Sequence, residues 1–84
     1  MHQTTQRFWN CYNNLPTTVR ERADKCFSLL KENSRHPSLH LKKVNAFWSV
    51  RIDLTHRALA VADGDDFIWV WIGVHDEYER LIGR

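Results

Sequence analysis

The stretch Trp48-Ser49-Val50-Arg51-Ile52-Asp53-Leu54-Thr55-His56-Arg57-Ala58-Leu59-Ala60-Val61-Ala62-Asp63-Gly64-Asp65-Asp66-Phe67-Ile68-Trp69-Val70-Trp71-Ile72-Gly73 decides the fold. Trp48, Val50, Ile52 and Leu54 alternate with Ser49, Arg51 and Asp53, the period of a strand with one buried face. Arg57 to Val61 forms a second short strand, and Asp63-Gly64-Asp65 supplies a hairpin turn. The apolar run from Phe67 to Ile72 is too short for a free-standing helix and rich in β-branched and aromatic residues, so it reads as the central strand. By alternation Trp69 and Trp71 share one of its faces and Ile68, Val70 and Ile72 the other, which makes both faces apolar. Gly73 ends the strand, and His75 to Leu81 makes one or two closing helical turns. Just upstream, Leu39 and Leu41 alternate with polar neighbours and begin the β part of the chain.

The residues before this are helical in pattern. Phe8, Trp9, Cys11, Tyr12 and Leu15 recur at roughly helical spacing, giving a first helix at about residues 5–14 that Leu15-Pro16 interrupts. Val19, Ala23, Cys26, Phe27 and Leu30 then form an apolar stripe opposite Arg, Glu, Asp and Lys, with Thr18 and Glu21 spaced as a capping box. Asn33-Ser34 and Pro37 end this second helix. Two N-terminal helices followed by strands make an α+β domain, the helices packed on one face of a small twisted antiparallel sheet of three to four strands.

Length and composition bound the rest. With 84 residues the chain is one domain, residues 1–84, of ordinary globular composition at 43% hydrophobic and 26% charged. Its longest apolar run is far short of the ~20 residues of a membrane span, and residues 1–15 lack the features of a signal peptide. Cys11 and Cys26 are spaced as neither a disulfide scaffold nor a metal knuckle. A cytoplasmic protein with reduced, buried thiols is expected. Charge is uneven: residues 35–57 sum to +4 and residues 58–84 to −4, and the middle third also holds His36, His40 and His56. Such polarity suits a polyanion on one face.

The order of elements resembles the RelE/ParE superfamily of toxins, and local sequence carries the likeness from about Phe8 to Leu81. Its residues are Leu15-Pro16, Arg35-His36-Pro37-Ser38-Leu39 followed by Lys42-Lys43, Trp48-Ser49-Val50-Arg51-Ile52, His56-Arg57-Ala58-Leu59, and Trp71-Ile72-Gly73-Val74-His75-Asp76-Glu77-Tyr78. Where relatives commonly read Tyr-Arg, this chain reads His56-Arg57. The resemblance implies a toxin silenced by a cognate antitoxin in a hetero-oligomer, acting as a metal-independent, ribosome-dependent endoribonuclease on messenger RNA. The alternatives are a ParE-type toxin acting on DNA gyrase or a catalytically inert binding homologue. No cofactor and no membrane partner are expected.

RNA cleavage of this kind needs a base for the 2′-OH, cations for the phosphate and an acid for the leaving 5′-oxygen. Matched to family positions, Arg57 is the first candidate for charge stabilisation, and Arg51 the second; a lone strand arginine is otherwise simply solvated. His75 follows the central strand and could serve as the acid. Tyr78 shares its helical face and would need nearby cations to ionise. The alternative for the pair is that Tyr78 packs on the sheet and His75 caps a turn. The resemblance implies that Lys42 and Lys43 grip the RNA backbone, only one of them on the productive side; the alternative is an ordinary basic edge strand, which also discourages edge-to-edge pairing. Arg35, His40 and His56 complete the expected RNA contacts.

Two other readings are weaker. His36 and His40 lie four apart, but Pro37 removes the helical geometry that would pair them on zinc, so no metal site is expected. Trp48, Trp69 and Trp71 could stack bases, yet tryptophan in a short apolar strand is usually core. The face of the central strand turned away from the helices is left for the antitoxin.

Overall fold

Helices form where the apolar spacing requires them. The computed structural model describes residues 1–83, and α1 runs over Gln6–Asn13 and α2 over Thr17–Glu32. Thr5 starts α1, its hydroxyl accepting from the Phe8 N–H at 3.2 Å, and Phe8 is buried. The capping box expected at Thr18 and Glu21 is not used. Pro16 occupies the cap position, which places Thr18 inside the first turn, where its side chain cannot cap. Val19, Ala23 and Leu30 are the buried stripe of α2.

Five strands follow or flank these helices: β1 (His2–Thr4), β2 (Lys42–Val44), β3 (Phe47–Arg51), β4 (His56–Asp63) and β5 (Asp66–Val74). They form one sheet in the order β1-β5-β4-β3-β2, antiparallel except that β1 runs parallel to β5. β1 takes the strand count beyond the three to four expected; three polar residues at a sheet edge carry no alternation to read. A closing helix, α3, spans His75–Leu81. Leu39 lies in a 3-10 turn at Pro37–Leu39 rather than in a strand, because Pro37 fixes its φ and starts a tight turn that buries the leucine. Among the described residues, no helix is long and apolar enough to cross a membrane.

The sheet has a core on each side. On one face α1 and α2 cover Val50, Ile52, Ala58, Ala60, Trp69 and Ile72; on the other, α3 brings Tyr78 and Ile82 against Leu59 and Trp71. Trp69 and Trp71 are therefore on opposite faces, against the simple alternation of the sequence. The reason is a β-bulge. Leu59 pairs with Trp71 but Ala60 pairs with Trp69, so Val70 is an extra residue and the side-chain period is reset there. Leu54 departs from expectation too: it is 79% exposed, because the chain leaves β3 after Arg51 and turns at Asp53.

Candidate functional site

Strand register builds the site. Arg51 on β3 lies directly opposite Arg57 on β4, and Arg57 lies directly opposite Gly73 on β5. Directly paired residues point to the same side, so this row lies on the α3 face, beside the row Lys42, Ser49, Leu59 and Trp71. Two like charges face to face are destabilising unless something answers them. Among the described residues neither is ion-paired: the ion pairs there involve the N-terminal ammonium, His56 and His75, and no Arg or Lys. Gly73 is needed for a separate reason. The Trp71 ring folds over it, and a Cβ at Gly73 would stand 2.5 Å from Cζ2 of that ring.

The loop between β3 and β4 holds Arg57 in place. Asp53 Oδ1 accepts from the N–H groups of Thr55 and His56, each at 2.8 Å, and meets His56 Nδ1 at 3.1 Å. Burial works to raise the Asp53 carboxyl, but hydrogen bonds from the Thr55 backbone and the His56 ring outweigh it, holding Asp53 below the usual carboxylate range. The turn so formed aims two carbonyls at Arg57: Nη1 donates to Asp53 O at 2.7 Å and to His56 O at 2.9 Å. These oxygens orient the guanidinium without neutralising it. Sequence alternation had placed Asp53 on the open face beside Arg51; it is instead the organiser of the turn. The Asp53-Leu54-Thr55 spacing of an Asx turn was the available signal.

His75 opens α3, and its backbone N–H donates to Thr55 O at 2.7 Å, which ties the helix start to the same turn. A shallow groove of about 430 Å³ results, lined by Leu54, Thr55, Arg57, Val74, His75 and Asp76. His75 is partly exposed, with Nδ1 3.3 Å from Glu79 Oε1. Tyr78 is only 4% exposed, packed with Leu59, Trp71 and Ile82, its ring 5.4 Å from that of His75.

The remaining candidates separate. Lys42 pairs with Ser49 and stands on the Arg51/Arg57 face, whereas Lys43 pairs with Trp48 and stands on the opposite one. Arg35 and His40 lie on that opposite side, around a different groove with Trp48 and Phe67. His56 is 9% exposed, its ring committed to Asp53 and Thr55. No three His, Cys, Asp or Glu side chains converge as an ion site among the described residues.

Solved structures share this fold. The chain superposes on the toxin of the RelB–RelE antitoxin–toxin complex of Methanococcus jannaschii with a TM-score of 0.74 at 16% identity, covering 94% of this chain and 96% of that one. The fold is that of the RelE and ParE toxins. A YoeB/ParE toxin from Agrobacterium tumefaciens matches with a TM-score of 0.66 at 16% identity, over 88% of this chain and 96% of that one. The intact RelBE toxin–antitoxin complex of E. coli matches with a TM-score of 0.64 at 16% identity, over 88% and 96%. No family model and no curated protein matches the sequence. The RelE-like order of helices, sheet and closing helix therefore rests on structure, and it puts Arg51, Arg57 and His75 at one end of one sheet face.

Proposed function

We propose that this chain is the toxin of a type II toxin–antitoxin pair and that it cleaves messenger RNA on the ribosome through the Arg51/Arg57/His75 face. One observation carries the reading: two opposed arginines with no ion pair among the described residues, one of them sharing a groove with His75 and Asp76. The 2′-hydroxyl gives its proton to a solvent water, its oxygen attacks phosphorus, the bond from phosphorus to the 5′-oxygen breaks, and a 2′,3′-cyclic phosphate remains. Arg57, held by carbonyls, and Arg51 beside it stabilise the charge building on the phosphate oxygens. His75 in its protonated form gives its proton to the departing 5′-oxygen. Lys42, on the same face, contacts the RNA backbone. Tyr78 supports His75 by ring contact from within the core, and His56 contributes by fixing the turn. The RelE-like fold and the antitoxin-bound state of its structural neighbours support the toxin assignment and an antitoxin partner.

Induced alone, the chain should arrest growth, and cleaved messages ending in 2′,3′-cyclic phosphate should accumulate on translating ribosomes, with no requirement for added metal. Arg57→Ala should abolish cleavage while the protein stays folded. Full cleavage by a folded Arg57→Ala protein would remove Arg57 from the site. Intact messages alongside gyrase-linked DNA breaks would give the ParE-type function instead.

A further inference from the structure

On the helix side of the sheet lies a second groove, of about 540 Å³, between the end of α2, the 3-10 turn and the sheet. Its floor is Trp48 and Phe67, both half-buried, with ring centroids 5.4 Å apart in an edge-to-face arrangement. Arg35, His36 and His40 form its wall, and no acidic side chain lines it. Lys43, the cross-strand partner of Trp48, stands on the same face. Neither Arg35 nor Lys43 is ion-paired among the described residues.

Two details mark the wall as more than a solvated loop. His36 Nδ1 accepts from the Ser38 N–H at 3.2 Å and lies 2.8 Å from Ser38 Oγ, which fixes the ring at the start of the 3-10 turn. His40 has φ 48 and ψ 42, in the left-handed region that glycine or asparagine occupies at less cost. A strained non-glycine residue at the rim of a groove points to a use for its side chain.

We propose that this groove binds one nucleotide of a single-stranded RNA, its base stacked on Trp48 and Phe67 and its phosphate held by Arg35 and His40. Aromatic floors with cationic rims bind bases irrespective of sequence. β2 then acquires a specific place. Its alternation sends Lys42 to the Arg51/Arg57 face and Lys43 to the groove face, so an RNA crossing this sheet edge meets a cation on each side. The ligand class rests on the proposed function, but the groove shares no residue with the Arg51/Arg57/His75 site.

The test is a titration of the ¹⁵N-labelled full chain with the RNA tetramer A4, with affinity read by fluorescence anisotropy. The amides of residues 35, 36 and 38–41 and the Trp48 indole N–H should shift, and inorganic phosphate should leave the indole unmoved. Arg35→Ala should weaken binding about tenfold. His40→Gly should weaken it several-fold while raising the thermal midpoint, since glycine relieves the left-handed backbone; a purely structural histidine would not separate the two. Shifts confined to the Arg51/Arg57/His75 face, an equal indole response to phosphate alone, or unchanged affinity in both variants would overturn the proposal. So would a groove that binds an acidic antitoxin peptide but not A4. In an Arg57→Ala protein the groove should still respond: loss of cleavage there with groove binding intact supports both sites, and retained cleavage with groove binding intact overturns the catalytic assignment alone.

Discussion

Arg57 is held by carbonyl oxygens rather than by a carboxylate, and the difference decides what the residue can do. A carboxylate would orient the guanidinium and cancel its charge; Asp53 O and His56 O orient it and leave the charge in place. Those carbonyls are placed by Asp53, so Asp53→Ala should lower stability by about 1–2 kcal/mol through the lost turn bonds. It should also slow cleavage more than it perturbs binding, as measured by single-turnover rate against affinity. Asp53 further predicts a pH effect. Its folded-state carboxyl titrates below the ordinary range, so its contribution to stability is complete above that range and is lost as pH falls through the depressed value. A pH series of unfolding midpoints in strong acid should show this loss, and Asp53→Ala should lack it.

Elements are joined by contacts their own sequences do not announce. β1 holds to β5 partly through His2, whose Nδ1 accepts from Trp69 Nε1–H at 3.0 Å and whose ring stacks on Phe67 at 5.5 Å. Burial, followed by the N-terminal ammonium and Lys31, lowers the His2 pKa, so the folded state favours the neutral ring. The sign follows: this stability is fully present above the usual histidine value near 6.5 and is lost as pH falls below it through the folded value. Midpoints measured from pH 7.5 to 5 should fall in the native chain, and His2→Phe, which keeps the stack but cannot titrate, should flatten that slope. At the far end of β5, Gly73→Ala should cost about 1–3 kcal/mol, since the Trp71 ring occupies the space of the new methyl. A near-UV circular dichroism change alongside the lowered midpoint would report the displaced indole. An unaltered midpoint would show that the ring moves aside freely.

The whole molecule presents two opposed arginines with no ion pair among the described residues, on a domain of 84 residues, small enough that a ligand changes its stability visibly. An acidic antitoxin tail with spaced apolar residues would answer the arginines and cover Leu54 and Val74, which are exposed at 79% and 46% beside them. A partner present at 1,000 times its Kd adds ~4 kcal/mol, so the midpoint should rise by roughly 10 °C or more on complex formation. Affinity should weaken with salt but persist, because apolar contacts are not screened. Hydrogen exchange should slow at Arg51 and Arg57 on binding. A cognate antitoxin seated wholly over α1 and α2, leaving both arginines exposed, would separate neutralisation from blocking the site.

The class of fold and most of its elements are legible in the chain, because helix and strand periods are local properties: the stripe from Val19 to Leu30, the alternation from Trp48 to Ile52 and the turn at Asp63-Gly64-Asp65 are each read within a few residues. The sequence also singled out Arg51, Arg57 and His75, though only through their resemblance to family positions. Tertiary structure alone decided how those residues combine. Register made Arg51 and Arg57 direct neighbours, which no spacing within either strand reveals. The bulge at Val70 sent Trp69 and Trp71 to opposite faces, because an inserted residue becomes visible only against its partner strand. Parity in β2 divided Lys42 from Lys43, and the fold carried Arg35 and His40 to a separate groove on the helix side. Tyr78 went into the core because α3 had to bury a face against Leu59 and Trp71. Such relations depend on which strand lies beside which, and pairing between distant segments leaves no periodic trace in the chain.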